Sequence, residues 1–111
     1  MPTPKFIVKK TTSGKFMFTL NAANGQVILT SQQYATKAGA TNGAKSVKTN
    51  GRRDECIDRR KARDGRGYFV VVATNKEIIG QSQRYKSGSG LRNGIASVQR
   101  NAPKAVIEDQ T

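Results

Sequence analysis

The sequence predicts an α+β fold: a tandem repeat of a three-stranded antiparallel meander plus one helix, with a closing C-terminal strand. Three observations carry that expectation. The chain matches itself at one offset, each copy alternates apolar and polar residues with period two between turn signals, and each copy then shows one helical apolar stripe.

At an offset of 51 positions Gly14 falls on Gly65, Phe18 on Phe69, Ala22 on Ala73, Asn24 on Asn75 and Ile28 on Ile79. Ser31-Gln32-x-Tyr34 falls on Ser82-Gln83-x-Tyr85, Asn42-Gly43 on Asn93-Gly94, Ser46-Val47 on Ser97-Val98 and Asn50 on Asn101. The offset holds without a gap, so the repeat precedes every other reading. The chain is read as a single domain of two repeats, about residues 5–53 and 54–111.

The first strand is expected over residues 5–11, with Phe6 and Val8 on one face, and it turns at Thr12-Ser13-Gly14. In the next, Phe16, Phe18, Leu20 and Ala22 alternate with Met17, Thr19 and Asn21. That is the pattern of a half-buried strand. Asn24-Gly25 predicts a tight hairpin in which both residues take positive φ, and a third strand returns over residues 26–31. The second copy repeats this over residues 56–62, 68–73 and 77–83, with turns at Asp64-Gly65 and Asn75-Lys76.

A helix follows in each copy. Thr36 and Ser87 stand at the N-cap positions. Ala40, Gly43, Ala44 and Val47 form one stripe; Leu91, Gly94, Ile95 and Val98 form its counterpart. A mid-helix glycine costs about 1 kcal/mol against alanine, so one in each copy points to close backbone approach. Gly51 reads as a left-handed C′ residue, and Pro103 ends the second helix. Residues 105–109 resemble residues 54–58, which adds a closing strand and makes the segment after Arg53 the expected last strand of the first copy. That alignment sets Cys56 on a strand as a small core residue rather than a reactive thiol.

Apolar residues make up 35% of the chain, and tryptophan is absent, so the core is modest. A lone cysteine excludes an internal disulfide and fits a reducing compartment. Residues 1–5 lack the apolar run of a leader, and no stretch is long and apolar enough to span a membrane. A soluble, cytoplasmic protein without membrane contact is expected. Twenty Lys/Arg against seven Asp/Glu give a net charge of +13, and no acidic residue precedes Asp54. Such a charge implies attraction to polyanions but no particular fold.

At Ser82-Gln83-Arg84-Tyr85, at residues 93–98, at residues 106–109 and in the hairpin of residues 22–28, the sequence resembles the YegP-like family of small bacterial and archaeal proteins. The likeness covers nearly the whole chain; Ala44 departs from it, standing where the family usually has Ile. It implies an α+β fold of tandem three-strand-plus-helix repeats, or of single repeats pairing as a dimer. It implies no established activity and hence no catalytic residues.

The chain has no histidine, and its central carboxylates sit among arginines, so no catalytic residues, metal ligands or cofactor are assigned and a non-enzyme is expected. The glycine-rich run of residues 87–94 lacks the Walker ending and the Rossmann pattern, which leaves it a loop and N-cap. Between Arg52 and Arg66, seven Lys/Arg face four acids. Arg52, Arg53, Arg59, Arg60, Lys61, Arg63 and Arg66 are therefore the candidate anion or nucleic-acid contacts, with Tyr68 as a stacking surface. In a strand, Arg59 and Lys61 share one side and Arg60 takes the other. The polar residues Tyr34, Asn42, Ser46, Tyr85, Asn93 and Ser97 are retained in both copies. Structural roles are favoured for them: ring packing and a hydroxyl bond for tyrosine, caps for asparagine; meeting across a pseudo-two-fold axis is the other option.

The function expected from these features is that of a small, basic, non-enzymatic binding module for nucleic acid or another polyanion. The alternative is a protein-interaction or structural module that uses its sheet edges. A monomer with a pseudo-two-fold internal repeat is expected.

Overall fold

A computed structural model describes residues 3–111; Met1 and Pro2, part of the segment read for a leader, lie outside the described residues. Its elements are β1 (Lys5–Lys10), β2 (Phe16–Asn21), β3 (Val27–Ser31), α1 (Lys37–Asn50), β4 (Ile57–Lys61), β5 (Gly67–Val72), β6 (Ile78–Gln81), α2 (Gly88–Asn101) and β7 (Val106–Asp109). Short 3₁₀ turns, Asp54–Cys56 and Ala102–Lys104, follow the two helices.

All strands join one sheet in the order β4-β5-β6-β3-β2-β1-β7, antiparallel throughout except that β7 runs parallel to β1. At the centre Thr30 pairs with Gln81, its own equivalent 51 positions on. The pseudo-two-fold axis therefore passes between these two residues.

Phe6, Val8, Phe18, Leu20 and Leu29 face the helices and join Phe69, Val71 and Ile79 with Ala40, Ala44, Val47, Ile95 and Val98 in one buried cluster. Period-two alternation in the strands and the single helical stripes fix this arrangement. The other sheet face carries a row that crosses all seven strands: Asp58, Val70, Gln81, Thr30, Thr19, Ile7 and Glu108. Thr36 and Ser87 cap as expected, each hydroxyl accepting a 3.0 Å bond from the amide three residues on. A β-carbon on Gly43 would stand 2.5 Å from Tyr34 Oη, and one on Gly94 would stand 2.5 Å from Tyr85 Cζ. Close approach does explain both glycines.

Four expectations are corrected. The Asn24-Gly25 turn is a three-residue hairpin: Ala22 N–H donates to the Gln26 carbonyl, and only Gly25, at φ 87°, is left-handed. The two-residue turn predicted there requires two left-handed residues. The same construction recurs at residues 73–77, where Lys76 replaces the glycine and sits at φ 72°. Gly51 is right-handed (φ −60°), buried where the helix ends meet; a β-carbon there would lie 2.6 Å from the Val47 carbonyl oxygen and 3.3 Å from Ala102 Cβ. Cys56 is buried, as expected of a core residue, but it closes a 3₁₀ turn rather than lying in β4.

The fourth correction concerns closure. The segment after Arg53 becomes β4 and pairs with β5 at the far edge of the sheet, so it does not finish the first copy. β7, from the end of the chain, does that by lying along β1. Ile57 is equivalent both to Phe6 of β1 and to Glu108 of β7, so one strand stands where the repeat calls for two.

Candidate anion-binding edge and the retained polar residues

β4 is an edge strand, and its register fixes where each basic side chain points. Arg59 pairs with Phe69 and Lys61 with Gly67, which sets both on the helix side of the sheet. Arg60 pairs with half-buried Tyr68 on the open face. The alternation read from the sequence is correct. Arg59, Arg60 and Lys61 are exposed, at a sheet margin where lysine and arginine also discourage pairing.

Carboxylates answer some of this charge. Arg60 Nε bonds Asp58 at 3.0 Å, and that bond is the first cause raising the Arg60 pKa. Asp64 lies 3.7 Å from Arg66 and 3.6 Å from Arg84, and Glu55 lies 4.0 Å from Arg53. Among the described residues, Arg52, Arg59, Lys61 and Arg63 form no ion pair. Arg52 and Arg53 stand before the N-terminal end of β4, and Arg63 and Arg66 in the turn beyond its other end. Five residues of strand rise roughly 3.4 Å each, so these groups are spread along one edge. Arg84 joins the cluster through Asp64, and Lys76 shares a depression with Ile57, Asp58 and Arg60. Sequence reasoning missed both, because the turn and loop that carry them are separated from β4 along the chain.

The retained polar residues act within their own copies and do not meet across the axis. Tyr34 bridges to Phe16 through paired backbone bonds of 2.7 and 2.8 Å, and Tyr85 bridges to Gly67 in the same way. Each ring then lies against its helix glycine. Burial pushes both tyrosine pKa values up; Glu77 adds to this at Tyr34, and a Gln83 hydrogen bond opposes it at Tyr85. Asn50 donates to Ser46 Oγ at 3.2 Å, and Asn101 to Ser97 Oγ at 3.1 Å, tying the last turn of each helix. Asn42 and Asn93 remain exposed on the helix surfaces.

Elsewhere the surface offers little chemistry. A depression of about 500 Å³ lies over the axis beside Thr30, Gln32, Gln81 and Gln83, with no ionisable group in its lining. Among the described residues, no three of His, Cys, Asp and Glu gather as a metal site, and no buried side-chain polar atom lacks a partner. No described helix is long and apolar enough to cross a membrane.

The opposite edge is acidic. Glu108 meets Lys5 at 3.1 Å, and Asp109 pairs with Lys37, so β7 is held to the first copy by charge as well as by backbone bonds. Lys37 first and Thr111 next hold the Asp109 carboxyl well below its ordinary range; bonds from Gln110 and Lys5 lower that of Glu108. A depressed folded-state pKa contributes stability above the unfolded value and loses it as pH falls through the folded one. Acidification below the ordinary carboxylate range is therefore expected to loosen β7 first. Backbone amide exchange across the β1–β7 pair should accelerate there, and Asp109→Asn should reproduce the effect at neutral pH. Equal protection of β7 in wild type and variant would contradict this.

Comparison with known proteins now places the chain. The model of a domain of unknown function, DUF1508, matches twice, over residues 12–58 and 62–109. The chain belongs to the DUF1508 family. A UPF0339 protein of Pseudomonas aeruginosa is 42% identical over 107 residues, covering 96% of this chain and 97% of its own. The UPF0339 protein YegP of Yersinia pestis is 40% identical, covering 94% of this chain and 93% of its own. The solution NMR structure of the protein of unknown function YegP from E. coli superposes with a TM-score of 0.92 at 36% identity, covering 100% of this chain and 96% of its own. A UPF0339 protein of Shewanella oneidensis superposes at 0.89 and 39% identity, covering 96% of this chain and 91% of its own. The resemblance read from the sequence, the α+β class and the tandem repeat are all confirmed. Both DUF1508 matches end on the strand after a helix, at residues 58 and 109, which are one repeat apart.

Proposed function

We propose that this protein is a non-enzymatic binding module that takes an anionic partner, nucleic acid first, along the basic β4 edge. The observation that carries the reading is the exposed set Arg59, Lys61 and Arg63, which no carboxylate neutralises among the described residues. Neutralising phosphates with such groups gives affinity with little sequence preference, and Tyr68 beside Arg60 offers one partly exposed ring for stacking. The family, described as a domain of unknown function, is compatible with this role.

Binding to short single- and double-stranded oligonucleotides across a salt series tests it. Four phosphate contacts predict a log–log salt slope of roughly −3, since each contributes about −0.7 on single strands and −0.9 on duplex. Reversing Arg59, Arg60, Lys61 and Arg63 to Glu should abolish the binding. Binding that the reversed variant retains in full would refute the assignment of this edge.

A further inference from the structure

The duplicated fold has two equivalent outer edges, and among the described residues only one of them is covered. On β1, β7 lies parallel, with Val106 N–H donating 3.1 Å to the Pro4 carbonyl and Gln110 N–H donating 2.9 Å to the Val8 carbonyl. The repeat offset carries Pro4 to Glu55 and Val8 to Arg59. No described strand lies along the outer edge of β4, the side away from β5.

Its free backbone groups can be named. In an antiparallel pair, alternate residues direct their N–H and C=O toward the partner strand. Ala62 N–H bonds the Arg66 carbonyl, so the even-numbered residues of β4 serve β5 and the odd-numbered ones face outward. Ile57 N–H is taken by the Asp54 carbonyl. That leaves the Ile57 carbonyl, with the N–H and C=O groups of Arg59 and Lys61, available to a strand in the place that β7 occupies on β1.

We propose that this edge takes an acidic extended peptide of a partner protein as an eighth strand, parallel to β4. Charge selects the occupant. The two residues whose backbone groups are free also carry the unneutralised side chains on the helix side, so carboxylates at alternate positions of the incoming strand would meet Arg59 and Lys61. β7 shows that an added strand's carboxylates can be held by the copy it covers: Lys5 takes Glu108 on the open face and Lys37 of α1 takes Asp109 on the helix side. A second copy of this chain is disfavoured, since each carries +13 and like edges would set arginine against arginine. The inference shares side chains with the nucleic-acid reading but rests on the backbone edge, which a phosphodiester chain cannot pair.

The test uses the whole protein and, as probe, a doubly capped peptide of the chain's own 105–111 sequence, Ala-Val-Ile-Glu-Asp-Gln-Thr. A second peptide is N-methylated at the positions of Val106 and Gln110, which keeps the charge and removes the two donors. The expected result is at least a tenfold slowing of Arg59 and Lys61 amide exchange with the first peptide, and at least a tenfold loss of affinity with the second. Equal affinity for both peptides, no binding at low salt, or protection changes confined to β1 would overturn the inference. A thymidine oligonucleotide run in parallel separates the two readings: oligonucleotide binding without peptide binding sinks this one and leaves the other, and the converse does the reverse.

Discussion

Phe18→Ala is expected to remove about 3–5 kcal/mol of stability, the usual range for deleting a fully buried aromatic ring. Phe18 is fully buried in β2, with its ring 5.8 Å edge-on from Phe6 and 6.5 Å from Tyr34 in a stacked arrangement. The small stripe of α1 cannot collapse into the space, because Ala40 and Ala44 have no side chain to extend. Aromatic pairing adds about 0.5–1.5 kcal/mol beyond area. Urea unfolding of Phe18→Ala, Phe18→Leu, Tyr34→Leu and the double leucine variant would read both quantities. A Phe18→Ala midpoint within error of wild type would contradict the packing described here, and a coupling near zero would show that the stacked contact carries no energy of its own. Domain stabilities are typically about 5–15 kcal/mol, so this one truncation consumes a large part of the total.

Gly94→Ala should destabilise the protein by about 1–2 kcal/mol, although alanine is the better helix former by about 1 kcal/mol. The added methyl would overlap Tyr85 Oη and stand 2.5 Å from Cζ, an overpacking that typically costs about 1–3 kcal/mol. The opposition of these two effects makes the experiment discriminating. In a Tyr85→Leu background the obstacle is gone, and Gly94→Ala should become neutral or stabilising. Thermal melts of the four proteins form the cycle; the same penalty in both backgrounds would mean that the ring is not what excludes the methyl.

Much of this was legible in the chain. The offset of 51 predicted the repeat, and the glycine in each helix predicted a close approach there, because both signals are local or internally controlled; that a tyrosine ring makes the approach was not read. The parity of Arg59, Arg60 and Lys61 followed from strand geometry alone. What could not be read depended on choices the sequence states ambiguously. Asn-Gly suits a two-residue turn and also the three-residue turn ending in one left-handed glycine, and only the hydrogen-bond register separates them. Gly51 looked like a cap because its reason, the nearby Ala102, lies 51 residues away and is reached only by tertiary packing. Two similar strands, residues 54–58 and 105–109, offered two edges to close, and nothing in their composition says which edge each takes. The pairing of Asp64 with both Arg66 and Arg84 was hidden for the same reason of distance along the chain.

The parallel pairing of β7 with β1 also sets a timetable. A ribosome makes β1 well before β7, yet the Pro4 and Val8 carbonyls beside that early strand find their partners only in Val106 and Gln110. Until β7 has been made, the first copy has its helix and its hairpins but no seal along its margin. A truncated message would leave that margin bare, so a nascent chain stalled before residue 105 should be picked out by proteases at its N-terminal strand, and the finished one should resist them.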